Sequence, residues 1–98
     1  MNNNSNKYLN MIREKSNVLR DEYLVKDIGI FGSVARGEQT ASSDVDIVVE
    51  FSEPVSFFHF LDLEDFLSRT LGKKIDLVTK RALKPAVKEQ ILKDAVYA

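Results

Sequence analysis

The sequence predicts an α+β domain: a small mixed β-sheet of three or more strands covered by helices. Three short β-branched runs, Val25–Phe31, Asp44–Phe51 and Lys74–Thr79, alternate in apolar and polar character. Segments with helical spacing lie before, between and after them. Glycine or proline stands at several of the junctions, at Gly32, Gly37, Pro54, Gly72 and Pro85. An αβαβαβα order with strands this short fits a single sheet with helices packed on it.

Residues 1–6 are polar and Asn-rich and read as a disordered tail, leaving 7–98 as one domain. From Lys7 to Glu22, Tyr8, Met11, Ile12, Val18 and Leu19 recur at helical spacing, interrupted at Lys15 and Ser16. Val25–Phe31 follows as a strand, with Ile28 and Ile30 on one face. Ser33–Arg36 has room for one or two helical turns before Gly37, a residue suited to ending them. Glu38–Ser43 is polar, lacks periodicity and reads as a loop. In Asp44–Phe51, Val45, Ile47, Val49 and Phe51 point one way, and Asp44, Asp46, Val48 and Glu50 the other.

Ser52-Glu53-Pro54 breaks this strand. Ser56–Leu71 is then a helix, striped by Phe60, Leu63, Leu67 and Leu71 and closed by Gly72. Lys74–Thr79 is the third strand, with Ile75 and Leu77 opposite Asp76 and Val78. Pro85 suits the first turn of a last helix carrying Val87, Ile91, Leu92 and Ala95.

At 98 residues the chain has enough core for one domain without covalent staples. It has no cysteine, which removes disulfides and thiolate metal sites and suits a reducing compartment. No apolar run approaches the ~18 residues needed to span a bilayer, and the polar N-terminus has no signal-like core. A cytoplasmic protein with no membrane partner is expected. The formal charge is −1, and no basic run exceeds two residues, so nucleic acid is disfavoured as the main partner.

The chemistry concentrates in two places. Asp44 and Asp46 stand two apart on one strand, so their side chains share a face roughly 6.5–7 Å apart at Cα. Carboxylates this close repel, and a hard divalent cation such as Mg²⁺ offsets the repulsion with oxygen coordination. Asp76, on the corresponding face of the third strand, would complete a site for two Mg²⁺ ions, one activating an attacking oxygen and one steadying a leaving oxygen. Upstream, Gly32-Ser33 follows a strand and opens a short helix. A glycine there allows close backbone approach to a phosphate, the unpaired N–H groups of a helix start favour anions, and Ser33 adds a hydroxyl donor. Arg36, one turn on, offers a fork of donors to a triphosphate. Taken singly, Gly-Ser also fits a plain turn with Ser33 as N-cap, Asp44 a turn, and Asp76 a solvent-facing position. The combination is what points to nucleotide chemistry.

Gly32-Ser33, ten intervening residues, Asp44-Val45-Asp46 and a later Asp76 together resemble the nucleotidyltransferase superfamily that includes DNA polymerase β and kanamycin nucleotidyltransferase. The Gly-Ser-x-Ala-Arg-Gly form is most similar to the minimal nucleotidyltransferase (MNT) proteins of HEPN/MNT toxin–antitoxin systems. The resemblance covers roughly Ile28 to Leu92. It implies a nucleotidyltransferase fold, ATP as donor, Mg²⁺ as cofactor, and transfer of AMP with release of pyrophosphate. By the same resemblance, Gly32 and Ser33 hold the β- and γ-phosphates and Arg36 contacts phosphate. Asp44 and Asp46 bind both metals, while Asp76 binds the activating metal and assists deprotonation of the acceptor. The implied partner is a HEPN-domain ribonuclease toxin, modified on a tyrosine, with this chain as a type VII-like antitoxin. The chain has no room for the extra domains of larger relatives, so the acceptor would be another protein. Transfer to a small molecule such as an aminoglycoside, or inhibition by binding alone, are the alternatives.

Phe57, Phe58, Phe60, Leu61, Leu63, Phe66 and Leu67 exceed one helical stripe; packing under the sheet is expected to absorb them, and any exposed remainder would offer a docking face. His59, the sole histidine, lies off the acidic strands and is assigned no role. Lys73, Lys74, Lys80 and Arg81 read as solvated, and one of them could approach a triphosphate.

Overall fold

The computed structural model describes residues 3–38 and 44–98. Its elements are α1 (Asn3–Glu14), α2 (Ser16–Asp21), β1 (Val25–Phe31), α3 (Gly32–Arg36), β2 (Val45–Phe51), α4 (Phe57–Leu71), β3 (Ile75–Thr79), a 3₁₀ turn (Lys80–Ala82), α5 (Pro85–Asp94) and β4 (Val96–Tyr97). The four strands form one mixed sheet in the order β3-β2-β1-β4. β2 is antiparallel to β1 and parallel to β3, with α4 as the crossover between the parallel pair.

The expected α+β architecture is present, with a few differences that have local causes. The first helix is two. Lys15 leaves the helical region (φ −104°, ψ 14°), and the bend lets Leu9 and Ile12 on α1 and Leu19 on α2 all reach the core, each no more than 2% exposed. α1 also begins at Asn3 rather than Lys7, so part of the expected tail is its first turn; Met1 and Asn2 lie outside the described residues. Polar residues extend a helix at little cost once apolar contacts hold its later turns. The expected loop 38–43 falls outside the described residues beyond Glu38.

The core lies between one sheet face and α1, α2 and α4. Ile30, Val45, Ile47, Leu63 and Leu67 are fully buried there. A bulge between Val25 and Asp27 buries both Val25 and Ile28 despite their odd spacing. α4 starts at a side-chain cap, Ser56 Oγ accepting from His59 N at 3.1 Å, and ends at Gly72 in the left-handed region (φ 66°). Its phenylalanines are not all absorbed: Phe57 and Phe58 in the first turn are 68% and 77% exposed, while the stripe of Leu63, Leu67 and Leu71 is buried. His59 has a structural place, with Nε2 2.7 Å from the Tyr23 carbonyl oxygen and its ring edge-on to Tyr23 and Phe51.

β4 was not expected. It is two residues long and pairs with β1 at Gly29 and Ile30, and Ala98 N donates to Ile28 O at 3.0 Å. Gly29 makes this possible: a Cβ there would sit 3.0 Å from both Tyr97 Cδ1 and Val96 O. The last helix, α5, has no fully buried residue, and Val87 is 48% exposed. Among the described residues no helix is long and apolar enough to cross a membrane.

Candidate active site

β1 ends at Phe31 in extended backbone (φ −134°, ψ −173°), which is the cap position of α3. Ser33 is therefore inside the first turn rather than the N-cap. Gly32 turns the chain with φ +74°, a conformation that strains any residue bearing a Cβ. A second demand falls on the same position. A Cβ on Gly32 would stand 3.0 Å from Asp46 Cγ, with the Asp46 carboxylate oxygen Oδ2 closer still. The phosphate-type turn and the acidic strand are thus in direct contact, and glycine is what lets them meet. α3 closes as expected at Gly37, also left-handed (φ 74°), with Glu38 N donating to Ser33 O at 2.8 Å.

The acidic residues come together through register. Asp46 lies beside Asp76 in the parallel β2–β3 pair and opposite Phe31 in the antiparallel β1–β2 pair. Pairing of β2 with β3 begins immediately after Asp44, where Val45 N donates to Lys74 O at 3.0 Å. The Asp46 carboxyl is held above the usual carboxylate range. Burial is the largest cause, followed by the charge of Asp76, a hydrogen bond with Asp76 and the charge of Asp44; Arg36 opposes them. Carboxyls this close disfavour each other's charge, so the locus where Asp46 meets Asp76 suits a positive charge. Hard oxygen donors crowded in this way suit Mg²⁺. Among the described residues no three acidic or histidine side chains already form a closed ligand cluster. Asp46 and Asp76 are the joined pair, and Asp44 adds charge from the strand's entry.

Arg36 reaches the same neighbourhood, since its charge stabilises the ionised form of Asp46. Its guanidinium is engaged on two sides. Nε bonds the Glu38 carboxylate, and Nη1 lies 3.7 Å from Asp94 Oδ2 on α5. These partners, Glu38 first, strengthen its hold on its proton. Asp94 in turn accepts from Gln90 Nε2 at 3.1 Å. Sequence reading did not find Asp94 as a partner of Arg36: nothing in the spacing connects the end of the last helix to the turn after β1. The tight contact of Gly32 with Asp46 was equally invisible, although the glycine itself was singled out.

The sequence and fold also match known proteins. The family model described as "Nucleotidyltransferase domain" matches residues 12–98. A Methanocaldococcus jannaschii protein named "Putative protein adenylyltransferase MJ0128" is 49% identical over 88 residues, covering 89% of this chain and 90% of its own. "Protein adenylyltransferase MntA" of Thermococcus cleftensis is 44% identical over 79 residues, covering 81% and 80%. Among solved structures, one described as "Crystal structure of the toxin-antitoxin with AMP-PNP" superposes with a TM-score of 0.73 at 27% identity, over 90% of this chain and 69% of that one.

Proposed function

The chain belongs to the nucleotidyltransferase domain family, in its minimal (MNT) branch, and from that membership we propose that it transfers AMP from ATP to a tyrosine hydroxyl of a HEPN-domain toxin, acting as the antitoxin. That it is an enzyme of the nucleotidyltransferase class follows from the family itself. The observation that carries the finer reading is the single locus formed by the Gly32 turn, Asp46 and Asp76. The relatives named for protein adenylylation, and the similar fold crystallised as a toxin–antitoxin with AMP-PNP, support the donor and the class of acceptor.

Asp46 and Asp76, with Asp44 at the strand entry, would hold Mg²⁺. When bound, the metal supplies charge that activates the acceptor oxygen and steadies the departing pyrophosphate. Gly32 and Ser33 cradle the β- and γ-phosphates with backbone N–H groups and a hydroxyl. Arg36 gives its donor fork to the same phosphates in exchange for Glu38. Asp76 takes the proton from the acceptor hydroxyl. The hydroxyl oxygen then bonds the α-phosphorus, the bond from that phosphorus to the bridging oxygen breaks, and pyrophosphate leaves with the electron pair.

The test is mass spectrometry of the neighbouring gene product after incubation with the protein, ATP and Mg²⁺. Adducts of AMP mass are expected with wild type and absent with Asp44→Ala/Asp46→Ala. If both proteins neutralise the partner equally and no adduct forms, the reading is wrong and inhibition works by contact.

A further inference from the structure

A cavity of about 580 Å³ opens at the opposite end of β2 and β3 from the Gly32 turn. Its walls come from the end of β2, the turn that follows it, the 3₁₀ turn after β3, and α5. Phe51, Pro54 and Val55 give it an apolar wall. Lys80, Arg81 and Lys88 bring three cations to it from two elements. Lys80 is already engaged, 3.7 Å from Glu50 Oε1 and 5.4 Å from the Tyr97 ring centroid. Arg81 and Lys88 are exposed and carry no ion pair among the described residues.

The cavity's position relates it to the acidic site. Glu50 shares the sheet face of Asp46, four residues along β2, a span of about 13 Å. β3 is an edge strand, and the Gly32 turn lies on the far side of β2 from it. If the triphosphate occupies the Gly32 side, the acceptor oxygen approaches Asp76 from the β3 side. The chain carrying that oxygen then runs along β3 toward Lys80 and Arg81, which directly continue this strand.

We propose that this cavity is the acceptor-docking site and that it takes an acidic peptide segment of the acceptor protein, lying about four extended residues from the modified hydroxyl. The proposal rests on the nucleotidyl-transfer reading above. Two unpaired cations beside an apolar wall fit a carboxylate-bearing peptide whose neighbouring side chain is apolar. A nucleic-acid backbone fits less well: it needs a run of cations to neutralise successive phosphates, whereas this cavity offers two unpaired ones, and the net charge of the chain is −1.

The test measures fluorescence anisotropy of a labelled synthetic peptide in which three glutamates are separated by a short neutral spacer from a tyrosine. Its glutamine counterpart and a labelled oligouridylate serve as comparison probes. The glutamate peptide is expected to bind wild type about tenfold more tightly than the glutamine peptide, with the preference weakening as salt rises. Arg81→Glu/Lys88→Glu, at exposed positions, should lose that preference while keeping the wild-type circular dichroism spectrum and melting temperature. Asp44→Ala/Asp46→Ala should keep the preference. Equal binding of the two peptides, or an unaltered preference in Arg81→Glu/Lys88→Glu, overturns the proposal. So does tighter binding of the oligouridylate through Arg81 and Lys88. Absence of AMP on the acceptor, with peptide binding as expected, counts against the catalytic reading alone.

Discussion

Gly32→Ala tests the junction on which the site depends, and Gly72→Ala supplies its control. Both glycines have positive φ, +74° and +66°. A left-handed residue with a Cβ costs about 1–2 kcal/mol, so each variant should lose that much. At Gly72 nothing lies within 4 Å of the added Cβ, and the loss should stop there. At Gly32 the new methyl meets the Asp46 carboxylate, with Cγ at 3.0 Å, and the carboxylate or the turn must move. Overpacking of that kind adds about 1–3 kcal/mol. Urea denaturation of metal-free protein should therefore show Gly32→Ala less stable than Gly72→Ala by that excess. Replacing Asp46 with alanine removes Cγ and Oδ2 and leaves only a 3.3 Å contact to its Cβ, so most of the excess should vanish in Gly32→Ala/Asp46→Ala. AMP transfer should fall about a hundredfold in Gly32→Ala, as expected for a reacting group displaced by an ångström, and stay near wild type in Gly72→Ala. Equal stabilities of the two glycine variants, together with retained transfer in Gly32→Ala, would refute the contact between turn and strand.

Asp46 has a pH signature. Its folded value is raised, so the native state holds the proton more tightly than the unfolded chain does, and stability should fall as pH rises through that raised value. Asp46→Asn should flatten this dependence and melt higher than wild type at neutral pH without metal, whereas added Mg²⁺ should raise the melting temperature of wild type only. Arg36→Ala should raise KM for ATP about tenfold or more if the guanidinium grips phosphate. Asp94→Asn should shift stability by less than about 1 kcal/mol, since the ion pair it removes is long and partly exposed. Gly29→Ala should displace β4, because the carbonyl of Val96 at 3.0 Å has no rotamer by which to yield; hydrogen exchange at the Ala98 amide should then accelerate.

The strands and α4 were legible because their signals are local. Alternation in Val45–Phe51 and the stripe of Leu63, Leu67 and Leu71 record which face each residue buries, and the structure buries those faces. The same alternation put Asp44 and Asp46 on one face. What alternation does not contain is register between strands distant in sequence. That Asp46 falls beside Asp76, and not beside its neighbour, depends on how α4 crosses from β2 to β3. β4 escaped for a related reason: two residues are too few to show a period, and their pairing depends on a missing Cβ in another strand. Phe57 and Phe58 were expected in the core because hydrophobicity was read without geometry, and both lie off the buried stripe of Leu63, Leu67 and Leu71.

The attachment of the C-terminal segment has a consequence for assembly. α5 has no fully buried residue, and β4 adds a two-residue ladder to the sheet, so this unit is held by few contacts that exclude water. Opening of such a unit costs far less than global unfolding. Such an opening would separate Asp94 from Arg36 and turn β1 into an edge strand, freeing the Ile28 carbonyl that accepts from Ala98 N and the backbone groups of Ile30 on the same side. An edge of that kind is a template on which a strand from another polypeptide can add.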